Sequence, residues 1–185
     1  MDSLQAIEPD QIRPLKRVEY EKLVDLGVFE DEPIELLYGM LVAMSPIGTP
    51  HCSAVQVLTE QLILKLAGRA SLRPQLPYAA GDYSEPEPDL LVVPRGLYRT
   101  EHPSVALLAI EVSESSLKKD RGLKARLYAE CGVPEYWVVN LVDGRIEVMT
   151  EPQGGRYAQV KHYAKGESVQ LGAFPDISIA VSDVI

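Results

Sequence analysis

Two carboxylates in this sequence stand where carboxylates are costly. Asp89 follows Pro88 and opens the apolar run Leu90-Leu91-Val92-Val93, and Glu111 interrupts the run from Val105 through Ile110 to Val112. An ionised carboxylate on a buried strand needs a partner. A separation of 22 residues lets the two lie on adjacent strands, where they could share a hard divalent cation through oxygen ligands. The plainer alternative is an Asp that caps the turn after Pro88 and a Glu where its strand meets solvent. Pro-Asp recurs at Pro9-Asp10 and Pro175-Asp176, but only the copy at Asp89 is followed by a second carboxylate in an apolar run and then by a lysine-bearing helix.

That helix carries Asp120, Lys124 and Tyr128 at intervals of four, so the three share a face. Lys124 could point back toward the strand ends and there orient a water or stabilise charge on a phosphate, while a metal lowers the pKa of bound water. The alternative is an ordinary surface pair with Asp120, worth about 0.3–0.5 kcal/mol.

The elements that would position these groups follow from the hydrophobic pattern. The spacing of apolar residues over 18–27 predicts a short amphipathic helix stopped by Gly27, and 34–44 predicts a hairpin hinged near Gly39. Over 51–68, Val55, Leu58, Leu62 and Leu66 form one stripe before Gly68, which predicts the first long helix. The stretch 71–83, with Pro74 and Pro77, reads as an edge or interrupted strand. The runs 89–93 and 105–112 suit central strands buried on both faces. A second helix is expected over 118–131, with Leu123, Leu127 and Cys131 inward and Gly132 as its stop. Strands over 135–140, 145–150, 157–163 and 168–171 follow, with turns at Asp143-Gly144, Gly154-Gly155 and Lys165-Gly166. This order predicts an α/β fold, a mixed sheet flanked by helices.

Composition narrows the function. The chain has 185 residues, 46% hydrophobic and 24% charged, enough for one sizeable core. We read 1–16 as an N-terminal arm and 17–185 as a single domain. Eighteen Lys and Arg against 27 Asp and Glu leave a net charge of -9, which argues against holding nucleic acid by bulk electrostatics. Any such contact must be local, and Arg69, Arg73, Arg95, Arg99, Arg121 and Arg126 are the candidates. No apolar stretch suits a membrane span or a secretory signal, so a cytoplasmic protein without a membrane partner is expected. Cys52 and Cys131 form no CxxC and read as two buried thiols. Tyr136-Trp137 reads as core packing, and Glu85 and Glu87 as solvated loop acids.

Taken in order, several blocks resemble the Uma-type restriction endonuclease family, a branch of the PD-(D/E)xK nuclease superfamily. They are Glu35-Leu36-Leu37-Tyr38-Gly39, Leu41-Val42-Ala43-Met44-Ser45-Pro46, His51, Pro88-Asp89, Ile110-Glu111-Val112-Ser113-Glu114-Ser115, Asp120, Lys124 and Tyr128, and Gly132-Val133-Pro134-Glu135-Tyr136-Trp137-Val138-Val139. The resemblance spans nearly the whole chain from Val18. It implies a restriction-endonuclease-like core with extra C-terminal antiparallel strands, Asp89 and Glu111 as metal ligands, and Glu35 as a further acidic site residue. The superfamily places lysine two residues after the second carboxylate, where this chain has Ser113. Lys124 sits where the branch carries its replacement. His51, beside Pro50 at the start of a helix, and Ser113 are candidate substrate contacts; for His51 the plainer alternative is a helix-terminal hydrogen bond.

The leading expectation is a Mg²⁺-dependent endonuclease, with Mn²⁺ as a substitute, that hydrolyses phosphodiester bonds of nucleic acid, DNA in particular, as a homodimer. Asp89, Glu111, Lys124 and Glu35 would form its catalytic set. The alternative is a non-catalytic nuclease-fold binding or assembly module, also homodimeric, with the strands around 136–139 and 146–149 available as an interface. A metal-dependent hydrolase of small phosphorylated substrates suits the acidic charge but lacks a phosphate-binding glycine loop.

Overall fold

In the computed structural model residues 12–30 and 32–185 are described; the expected N-terminal arm lies, as far as residue 11, outside them. Contacts divide the chain into two compact units, Met1–Met44 with Ala79–Pro86, and Ser45–Tyr78 with Glu87–Ile185.

In the first unit, α1 (Arg17–Asp25) ends before Gly27, whose φ is +72°. The expected hairpin forms as β1 (Ile34–Leu37) and β2 (Met40–Ala43), paired antiparallel. Its two turn residues, Tyr38 and Gly39, both have positive φ, at 52° and 78°, the geometry whose twist matches a two-residue hairpin. Glycine is required at the second: a Cβ there would lie 2.4 Å from Cβ of Pro14. Glu85 is not the solvated acid its loop suggested. It is buried, and its backbone bridges to Leu36.

The second unit is built on a six-stranded sheet of order β3-β4-β5-β6-β7-β8. Its strands are β3 (Ala70–Pro74), β4 (Leu90–Pro94), β5 (Leu108–Ser113), β6 (Glu135–Asn140), β7 (Arg145–Gln153) and β8 (Arg156–Ala164). All neighbours pair antiparallel except β5 and β6, which are parallel. The Pro74-bearing stretch is the edge strand β3, where a missing N–H is tolerated. Strand β5 begins later than the apolar run suggested: Val105 is exposed, and only 108–113 enter the sheet, buried throughout.

On one face, α2 (Thr49–Leu66) sets Ala54, Leu58, Leu62 and Leu66 against Leu90, Val92, Leu108, Ile110, Trp137 and Val139. A hairpin of β9 (Ser168–Leu171) and β10 (Phe174–Ala180), followed by α5 (Val181–Val184), closes that layer through Val169, Ile177, Ile179 and Val181. Strand β10 was not expected, because Pro175-Asp176 at its start reads as a break. The register shifts between Phe174 and Ser178, which absorbs the proline. Cys52 is exposed rather than buried, whereas burial pushes the half-buried Cys131 thiol up to about 11. Tyr136 to Val139, considered as an interface, are fully buried at the centre of the sheet, and Ile146 to Met149 are buried beside them. Among the described residues no helix is long and apolar enough to cross a membrane.

Leu58 is fully buried at the middle of the α2 stripe. Leu58→Ala should lower the unfolding free energy in urea by about 2–5 kcal/mol, the range for a buried leucine that leaves a cavity.

Candidate active site

The parallel pairing of β5 with β6 requires a crossover, and the crossover is helical. It consists of α3 (Leu117–Lys119), a π-helical turn (Asp120–Lys124) and α4 (Ala125–Glu130), over the sheet face opposite α2. The α2 face takes Leu108, Ile110 and Val112, so strand alternation turns Ala109, Glu111 and Ser113 toward the crossover.

A straight α-helix at roughly 3.6 residues per turn would rotate Tyr128 by about 80° from the line of Asp120. The π turn takes more residues per revolution and cancels that drift. Asp120, Lys124 and Tyr128 therefore all face the sheet, at 1%, 3% and 0% exposure, while Leu123, expected inward, is 39% exposed. The sequence signal for the irregularity is Gly122, a poor helix former inside the periodic stretch. Such turns recur at functional sites.

Lys124 is not the surface partner of Asp120. Its Nζ donates to Glu111 Oε1 at 2.9 Å, and the Tyr128 hydroxyl donates to the same oxygen at 2.7 Å. Asp120 instead accepts from the hydroxyls of Ser113, at 2.6 Å, and Ser116, and its backbone carbonyl accepts from Tyr136 at 3.0 Å. Ser113 is fully buried, its hydroxyl committed to Asp120.

Asp89 immediately precedes β4. It lies in a bend beside Leu90, which pairs with Ile110, the chain neighbour of Glu111. Its Oδ2 accepts from the Val112 backbone N–H at 2.8 Å and from His51 Nε2 at 3.1 Å. The hydrogen bond with Asp89 raises the His51 imidazole above its ordinary range, although burial works to lower it. His51 Nδ1 is buried and makes no hydrogen bond among the described residues. The structure thus brings His51, Asp89, Glu111, Ser113 and Lys124 into one unit. Glu35 is buried on β1, in the other unit.

No group of three or more His, Cys, Asp or Glu side chains that could hold a metal occurs among the described residues. Asp89 and Glu111 nevertheless have the chemistry Mg²⁺ takes from proteins, which is one or two carboxylates completed by water and substrate phosphate. They fit a hard divalent cation and not a soft one.

Sequence reasoning missed a second acid–cation pair. Glu147 lies on the same face in the same transverse row, through the registers Glu111–Val138 and Val138–Glu147. Arg121 grips it with two bonds, the Nε contact at 2.8 Å, and Arg145 and Asn140 each donate to it at 3.0 Å. Burial works to raise the Glu147 carboxyl, and hydrogen bonds from Arg121, Asn140 and Arg145 overcome it, leaving the group at about 2. The sequence signal was an acid inside the short apolar stretch Ile146-Glu147-Val148-Met149 of β7.

Topology and site define the chain as an α/β protein of the restriction-endonuclease-like class. It belongs to the Uma2 family, described as "Putative restriction endonuclease", which matches residues 17–182. The fold is also that of the crystal structure of "a putative nuclease belonging to DUF820" from Anabaena variabilis ATCC 29413, with a TM-score of 0.66 and 17% identity over 92% of this chain and 97% of that one. No curated protein matches the chain.

Two outcomes follow from the buried pairs. Lys124→Met should destabilise the protein by about 3–5 kcal/mol in urea melts by stranding Glu111, whereas Lys124→Met combined with Glu111→Leu should recover much of that loss. Glu147, with a folded value of about 2 against 4.5 when unfolded, contributes stability that is complete above pH 4.5 and lost as pH falls toward 2. In acid titrations of unfolding, Glu147→Gln should flatten that limb by an amount on the order of 3 kcal/mol.

Proposed function

We propose that this protein is a metal-dependent endonuclease that hydrolyses phosphodiester bonds, with Asp89 and Glu111 as the metal-holding pair. The carrying observation is that Asp89 is bonded to the backbone N–H of Val112, the residue after Glu111, while the Lys124 ammonium lies 2.9 Å from Glu111. Mg²⁺, or Mn²⁺ in its place, would lower the pKa of a water nucleophile and offset negative charge on the phosphate.

The protein's own groups prepare that step. The Val112 N–H and the His51 ring fix the direction of Asp89. Tyr128 and Lys124 fix Glu111 in its buried place. Lys124 supplies positive charge where charge grows on the phosphate as water adds and the ester oxygen leaves. It takes over from the crossover helix the place that Ser113 leaves vacant on β5. DNA is the substrate we assign, in keeping with the family's description. One such site cuts one strand, so cleavage of a duplex calls for two copies, and a cytoplasmic homodimer is the assembly we assign.

The test is calorimetric titration with Mg²⁺ and Mn²⁺, followed by cleavage assays on plasmid DNA and on DNA and RNA oligonucleotides. The wild type should bind either ion and cut. Asp89→Asn, which keeps the side-chain shape, should lose metal binding and at least about 100-fold in cleavage rate. A wild type that binds neither ion and cuts nothing would overturn the reading in favour of a non-catalytic module on this fold.

A further inference from the structure

A chain of net charge -9 repels a polyanion overall, so a nuclease of this composition needs a local place where phosphate is welcome. Of the six arginines that the sequence offered, Arg69 is paired with Asp176, Arg95 donates to the Gly68 carbonyl, Arg73 lies over the Tyr98 ring, and Arg99 is exposed on the loop after β4. Arg121 and Arg126 do converge, and Arg156, which sequence reasoning passed over, joins them.

The three line a cleft of about 410 Å³ between the crossover and the β7–β8 hairpin, with Met149, Tyr157 and Val160 in its lining. Each guanidinium comes from a different place: the π turn, α4 and the start of β8. Arg121 is held by buried Glu147. Arg126 is paired with Glu130 four residues on, an exposed contact that a phosphate can displace at little cost. Arg156 is exposed and has no ion pair or hydrogen bond among the described residues. The cleft lining holds three guanidinium groups and no carboxylate.

The cleft adjoins the candidate active site through one turn of helix, since Arg121 and Lys124 both belong to Asp120–Lys124. It is also joined through ring contacts: Tyr157 stacks 6.1 Å from Tyr136, which lies tilted 5.0 Å from Tyr128, the hydroxyl partner of Glu111. Resting on the nuclease reading above, we propose that this cleft seats the backbone of the DNA strand beside the cleavage point. Arg126 and Arg156 contact its phosphates, and the apolar lining meets a sugar.

The test is fluorescence anisotropy of a short labelled DNA duplex over a salt series, in Ca²⁺ buffer. Arg126→Gln with Arg156→Gln should weaken binding about tenfold at low salt and reduce the slope of log affinity against log salt by about 1.5–2, the loss of two phosphate contacts. Lys165→Gln, on the turn after β8, should leave the slope as in the wild type. Arg156→Gln alone, at a residue with no partner to lose, should reduce the slope by about 1 with an unchanged melting temperature; this covers misfolding of the double variant. An unchanged slope in the variants, with a wild type that binds and cuts, overturns the cleft and leaves the nuclease reading standing. A wild type without salt-dependent DNA binding overturns both. A mononucleotide that displaces the duplex at lower concentration than competing unlabelled duplex would overturn the strand as occupant.

Discussion

One constraint organises the second unit: β5 and β6 run parallel, and parallel neighbours cannot be joined by a tight turn. The chain must leave the sheet after Ser113, cross over one face and re-enter at Glu135. Whatever the crossover carries on its inner face lies over the strand it has just left. Lys124 and Tyr128 meet Glu111 for this reason.

Burial then sets the terms for every polar group on that face. Glu111, Asp120 and Glu147 are each at least 96% buried, and each is matched: by an ammonium and a phenol, by two hydroxyls, and by two guanidinium groups and an amide. Such matching satisfies buried carboxylates and holds them still. Asp89 differs in kind. Its support comes from a backbone N–H and a histidine from α2, so the two carboxylates of the candidate site are fixed from opposite layers of the sheet.

Much of this was legible in advance. The strands and helices follow from apolar periodicity because each element packs one clear face or is apolar throughout. Asp89 and Glu111 stood out because ionised groups in apolar runs are costly. Four things were not legible. The phase of the crossover depends on a π turn, which no periodicity rule anticipates, so Leu123 was assigned inward and Lys124 left open to pairing with Asp120. Glu147 is matched by Arg121, 26 residues away, and only the three-dimensional register brings them together. Strand β10 opens with Pro175-Asp176, a local signal that pairing with β9 overrides. Glu85 reads as a loop acid because its burial is set by a backbone bridge to Leu36, on a distant strand.

The Glu111–Lys124 contact has a consequence for how such a sequence can change over time. Losing either partner alone strands a charge in the interior, whereas exchanging both for apolar side chains of similar size is often neutral or even favourable. Substitution at these two positions is therefore expected to be correlated: a joint exchange for aliphatic residues is passed through far more readily than either single one.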